Sequence, residues 1–188
     1  MRRIYYLEQN FKNMKLKATL ILLMAVFYQF SLNAQQNYVY KGNEKFIATP
    51  TFNFVLNSDY WGSNLLGVTI AKTLTGGYLM LEKETPFEHN YIGGTVTIFL
   101  ADGTMITCTD KKMKDHVDDK SITLYLFTEA EMERLKTVNI SRIRFSIYDQ
   151  IGDKSEGKNL TADNKKMFSQ YGEPQTYNTE SEVSKLYK

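Results

Sequence analysis

The sequence predicts a mainly β protein, an antiparallel β-sandwich of about eight strands with one short helix before the last strand. Three observations carry that reading. Apolar and polar side chains alternate through most of the segment from Phe52 to Ile147, the period of a strand with one buried face. Turn-forming pairs such as Gly76-Gly77 and Asp102-Gly103 interrupt the alternation at short intervals. The 188 residues include 13 Tyr and 11 Phe but 3 Pro, which favours strands. A β-barrel with a helical plug at one mouth is the alternative.

Residues 1–34 read as a secretory signal peptide rather than as part of the fold. Ala18 to Phe30 is almost wholly apolar, Lys15 and Lys17 precede it, and Ser31-Leu32-Asn33-Ala34 closes it with small residues. The run falls short of the roughly 20 apolar residues a spanning helix needs. Met14 opens a more conventional leader and is the alternative start. No cysteine stands near Ala34, so neither a lipid anchor nor stable membrane insertion is expected after the leader is removed. The rest divides into a sandwich domain over 35–148 and a polar C-terminal tail over 149–188. The expected location is the periplasm or the extracellular space.

Composition excludes several function classes. A hydrophobic content of 43% is too high for intrinsic disorder, and a single Cys makes neither an internal disulfide nor a Cys-based zinc site. The leader holds Arg2, Arg3, Lys12, Lys15 and Lys17 against Glu8. Without it, 18 basic and 20 acidic residues remain, and the formal net charge changes from +2 to −2. Nucleic acid is therefore not an expected partner, because phosphate binding needs a concentrated basic surface. Lys111, Lys112 and Lys114 do cluster, but Asp110, Asp115, Asp118 and Asp119 surround them in what reads as one solvated loop.

Taken in order, residues 35–50 suggest an entry segment and an edge strand. Phe52, Phe54 and Leu56 then alternate with polar neighbours. Leu66, Val68, Ile70 and Leu74 share one face of the next strand. Gly76-Gly77 reads as a two-residue hairpin connector, setting Leu79 opposite Leu74. Thr95 to Leu100 and Thr104 to Thr109 form a second hairpin around Ala101-Asp102-Gly103. A three-residue loop with Gly103 left-handed puts Leu100 opposite Thr104, Ile98 opposite Ile106 and Val96 opposite Cys108. That register gathers the apolar side chains on one face, and a one-residue slip would invert them. Ile122, Leu124 and Leu126 alternate against Thr123, Tyr125 and Phe127. Thr128 and Glu131 form a capping box for a short helix that turns Met132 and Leu135 inward. The last strand, 140–148, buries Ile143, Phe145 and Ile147 and points Arg142 and Arg144 to water, where they keep an edge soluble. After it come a polar loop over 149–159, a short helix capped by Thr161 and bearing Met167, Phe168 and Tyr171, and a second capping box at Thr179 and Glu182.

Candidate chemistry is sparse. Tyr60 and Trp61 interrupt a polar loop, where an exposed indole face can stack on a sugar ring. His89 follows Glu88 and His116 follows Asp115, so a neighbouring carboxylate can orient either imidazole, but no motif of a known hydrolase accompanies them. Cys108 falls on the core face, where a thiol acts as a small hydrophobe. Asp115, Asp118 and Asp119 are weak candidates for a calcium site, since their spacing fits no EF-hand and three lysines interleave. No cofactor is implied. The primary expectation is an exported, non-catalytic binding or envelope accessory protein whose partner is a protein or a glycan. The alternatives are a carbohydrate-binding module using Tyr60 and Trp61, and a hydrolase using His89 or His116.

Three segments carry a loose resemblance. They are Gly-Gly-Thr-Val-Thr-Ile-Phe-Leu-Ala-Asp-Gly at Gly93 to Gly103, Leu-Tyr-Leu-Phe-Thr-Glu-Ala-Glu at Leu124 to Glu131, and Ile-Ser-Arg-Ile-Arg-Phe-Ser-Ile at Ile140 to Ile147. With the Ala34-Gln35 junction, they resemble small exported proteins of Bacteroidetes-type bacteria that have no assigned activity. The resemblance implies a fold and a compartment and transfers no functional residue.

Overall fold

A computed structural model of the chain describes residues 36–149, 157–166 and 175–188. The expected signal peptide lies outside the described residues, as do Met167, Phe168 and Tyr171. Among the described residues no helix is long and apolar enough to cross a membrane.

Among the described residues eleven strands, rather than the expected eight or so, make one antiparallel sheet. In chain order these are β1 (Asn37–Lys41), β2 (Glu44–Ala48), β3 (Phe52–Leu56), β4 (Leu65–Lys72), β5 (Gly76–Glu84) and β6 (Asn90–Leu100). After them come β7 (Met105–Cys108), β8 (Met113–Val117), β9 (Lys120–Thr128), helix α1 (Glu129–Leu135), β10 (Ile140–Asp149), β11 (Gly157–Asp163) and helix α2 (Thr179–Lys185). Across the sheet the order is β7, β6, β10, β11, β3, β4, β5, β9, β8, and the β1–β2 hairpin joins β4 through β2.

The sheet bends until β6 approaches β9. There the Ile92 amide donates to Ser121 Oγ at 2.8 Å, and Thr123 Oγ1 donates to the Ile92 carbonyl at 2.7 Å. Two hydroxyls thus take the hydrogen bonds that a backbone ladder would have made, and the sheet is not closed into a barrel. This corrects the barrel alternative, and the helix expected as its plug, α1, packs against β5 and β9.

The inner face carries the main core. Phe54, Leu66, Ile70, Leu79, Ile98, Ile143 and Phe145, from five strands, are fully enclosed in one cluster, and each such side chain gains about 1.5–3 kcal/mol by leaving water. The opposite face holds a smaller cluster of Val39, Ala48, Ala71, Tyr78 and Leu124 under the β1–β2 hairpin.

The β6–β7 hairpin adopts the expected register, Val96 opposite Cys108 and Ile98 opposite Ile106, with Gly103 at φ +85°. The capping box of α1 is also present in both directions, and Met132 and Leu135 are buried. In β9 the face that enters the core is the more polar one, Ser121, Thr123, Tyr125 and Phe127, while Leu126 faces outward. Tyr125 is wholly enclosed and its hydroxyl has no partner among the described residues. An unsatisfied buried hydroxyl costs ~1–3 kcal/mol, so Tyr125→Phe is expected to raise stability by about 1 kcal/mol in urea unfolding. Unchanged or lower stability would mean that the hydroxyl has a partner after all.

Several expectations are corrected. The β4–β5 connection is residues 73–75, not Gly76-Gly77, and Leu79 pairs with Ile70 rather than Leu74. The shift is even, so the apolar face survives, but Leu74 becomes fully exposed. Thr161 sits in β11 rather than capping a helix, and residues 157–159 begin that strand rather than ending a loop. β11 pairs with β10 and β3, so part of the expected tail is interior to the sheet. The N-cap of α2 is Asn178, not Thr179, because Thr179 Oγ1 is committed to the Ile140 amide. Arg142 and Arg144 are exposed as expected, but β10 lies between β6 and β11, so they protect no edge.

Candidate functional site

The Tyr60–Trp61 loop spans residues 57–64, between β3 and β4. Its base is closed by the Leu56 amide donating to the Asn64 carbonyl at 3.0 Å, and the Asn57 amide ties it to Thr161 of β11 at 2.9 Å. Asn64 Nδ2 donates to Asp59 Oδ1 within the loop. Its crown hangs on two consecutive residues of β5. Glu84 Oε2 accepts from the Ser63 amide at 2.7 Å, while Lys83 Nζ donates to the Trp61 and Glu84 carbonyls, both at 2.9 Å. Gly62 permits this grip. Its φ is +77°, and a Cβ there would stand 2.7 Å from Glu84 Oε2.

Lys83 is 1% exposed. Burial pushes its amine down to about 8, against an opposing pull from Glu84. It shares the parity of Leu79 and Leu81 along β5, and that parity was the sequence signal for its inward aim. Tyr60 packs against the main core and lies between two cations, with the Lys83 and Lys158 ammonium groups 5.3 and 5.1 Å from its ring. Burial chiefly, then the Asp149 carboxylate, raises its hydroxyl above the ordinary tyrosine range. Trp61, in contrast, is 53% exposed. One aromatic anchors the loop and the next presents itself to solvent.

Of the other candidates, His89 reaches towards this loop through Asp149, the carboxylate that also acts on Tyr60. His89 Nε2 lies 3.5 Å from Asp149 Oδ1, and its ring stacks on Phe87 with centroids 5.0 Å apart. His116 lies in strand β8 rather than in a loop, and its Nε2 meets Thr85 Oγ1 at 3.1 Å. Asp115, expected to orient that imidazole, accepts from the His116 backbone amide instead. Cys108 faces the core, where burial foremost pushes its thiol up to about 12, so it holds almost no thiolate at neutral pH.

The expected aspartate loop is divided by β8. Asp110 accepts from the Gly94 and Lys112 amides, while Asp118 and Asp119 form the β8–β9 turn at φ +49° and +60°, a conformation that Asp tolerates better than most residues. The Asp110 carboxylate serves backbone geometry. Among the described residues, no three His, Cys, Asp or Glu side chains are placed to hold a metal ion.

No family model, curated protein or solved structure matches this chain. The functional reading therefore rests on the geometry of the Trp61 loop itself.

Proposed function

We propose that the protein is an exported, non-catalytic binding protein of the periplasm or extracellular space that engages glycans through Trp61, with Tyr60 anchoring the loop that presents it. The observation that carries this reading is a half-exposed indole whose own carbonyl is held by a buried lysine. Preorganisation of that kind lowers the entropy lost when a ligand docks. A flat apolar face beside the polar groups of Asp59, Ser63 and Asn64 suits a pyranose ring, which has apolar C–H faces and hydroxyl edges. We further infer that the bent sheet works as a two-layer β-sandwich, since side chains from β6, β7 and β10 share one core with those of β3, β4 and β5.

The hydrolase reading has weaker support. Among the described residues neither His89 nor His116 bonds to a serine or cysteine; His116 meets the Thr85 hydroxyl, but the neighbouring Asp115 accepts from the His116 backbone amide instead of orienting the ring, and triad chemistry requires both contacts.

A panel of neutral and acidic polysaccharides, followed by Trp61 fluorescence, tests the proposal. A binding glycan should quench or shift the emission, and Trp61→Ala, which removes the chain's one tryptophan and is therefore titrated calorimetrically beside the wild type, should weaken affinity about 30-fold, as for a central aromatic contact. The same variant should keep wild-type unfolding behaviour. Silence across the whole panel would remove the glycan reading.

A further inference from the structure

A second site lies on the outer face of the sheet and shares no lining residue with the Trp61 loop. The β1–β2 hairpin covers only part of that face. Between β1 and the edge strand β8 is a cleft of about 430 Å³, within the ~300–1,000 Å³ typical of small-molecule sites. Its floor is apolar, formed by Val39, Met80, Met113 and Leu124. Two of these are methionines, whose unbranched thioethers adapt to varied ligand shapes.

The rim is basic. Lys41, in β1, donates to the Tyr78 hydroxyl at 3.1 Å, a contact that raises its affinity for the proton. Lys112 lines the cleft from the segment before β8, exposed, with its backbone in the left-handed region at φ +59°. Such a conformation is costly for lysine and concentrates at binding sites. The ammonium of Lys114, also in the lining, lies over the Tyr91 ring at 3.1 Å, closer than that of Lys41 to the Tyr78 ring at 5.4 Å, so the head group is assigned to Lys41 and Lys112. Asp115 is the one carboxylate among the described lining residues, and one of its oxygens already accepts from the His116 amide. An apolar floor with two cations at its rim complements a ligand that is apolar over most of its length and anionic at one end.

We propose that the β1–β8 cleft binds a small amphipathic carboxylate, its hydrocarbon body on the Met80–Met113–Leu124 floor and its head group between Lys41 and Lys112. Decanoate is the probe, with decanol as its uncharged counterpart, each titrated calorimetrically into the purified protein. Decanoate should saturate one site per chain and bind about tenfold more tightly than decanol, a difference that shrinks as salt is added. The surface double variant Lys41→Gln with Lys112→Gln should lose about that tenfold for decanoate and leave decanol unchanged. A circular dichroism spectrum like the wild type's will verify that it folds. Equal affinity for the two probes, unchanged decanoate binding by the double variant, or no binding at all would each overturn the proposal. So would a dimer seen by light scattering that excludes decanoate, because it would assign the cleft to a second copy of the chain.

Discussion

Gly77→Ala is expected to cost about 3 kcal/mol of folding stability, the upper end of the overpacking range. Gly77 lies at the start of β5, directly beneath helix α1. A Cβ there would stand 2.4 Å from Met132 Sδ and 2.7 Å from the Ala71 carbonyl oxygen. The thioether can move, at the expense of a fully buried side chain. The carbonyl cannot, because β4 is fixed between β3 and β5. Gly103→Ala is the natural comparison. That position also uses a glycine, at φ +85°, but nothing lies within 4 Å of its missing Cβ, so only backbone strain of roughly 1 kcal/mol is expected. Urea unfolding of both variants measures the difference. Gly77→Ala within about 0.5 kcal/mol of wild type, the usual range for surface substitutions, would mean that α1 does not press on this strand.

The same glycine illustrates what the sequence could and could not reveal. The β6–β7 hairpin and the capping box of α1 were legible because both are set within a few residues, by Gly103 and by Thr128 with Glu131. Gly76-Gly77 satisfies the local rule for a tight hairpin just as well. Its actual requirement comes from α1 and β9, far along the chain, since a Cβ on Gly76 would stand 2.1 Å from the Phe127 carbonyl oxygen. β11 was hidden for a related reason. Gly157–Asp163 carries two apolar side chains, Leu160 and Ala162, among polar ones, and it becomes a strand because β10 and β3 present unpaired edges on either side. In the candidate site, Tyr60 and Trp61 stood out as aromatics in a polar loop. The support beneath them did not, because Lys83 reads as a surface residue until its parity with Leu79 and Leu81 is taken literally. A buried lysine arises where backbone carbonyls converge, and that convergence belongs to the folded loop.

Lys83 also dictates an unusual pH response, in which stability should rise between about pH 8 and 9. Its amine titrates near 8 in the folded protein and at 10.5 when exposed. Between those values the unfolded chain holds a proton that the folded chain has released, so raising the pH favours folding. Below 8 the cost of burying the charge is present in full, roughly 3 kcal/mol at 1.36 kcal/mol per pH unit. Cys108 opposes this from pH 9 upward. Its thiol titrates at 9.0 when exposed and near 12 when folded, so the unfolded chain ionises first and stability is lost as pH climbs through that window. The hydroxyls of Tyr60 and Tyr125, both raised mainly by burial, add to the loss above 10. Lys83 therefore acts unopposed only from about 8 to 9, with a gain of about 1 kcal/mol. A plateau should follow to about 10.5 and a steep fall beyond it. Urea unfolding at closely spaced pH values measures the profile. Lys83→Met should abolish the rise whatever it does to stability at pH 7, where the Trp61 and Glu84 carbonyls lose their donor. Cys108→Val should extend the rise past pH 9. A wild-type profile that is flat or falling from 8 to 9, or a rise that persists in Lys83→Met, would show that the amine under the Trp61 loop is not buried as a charge.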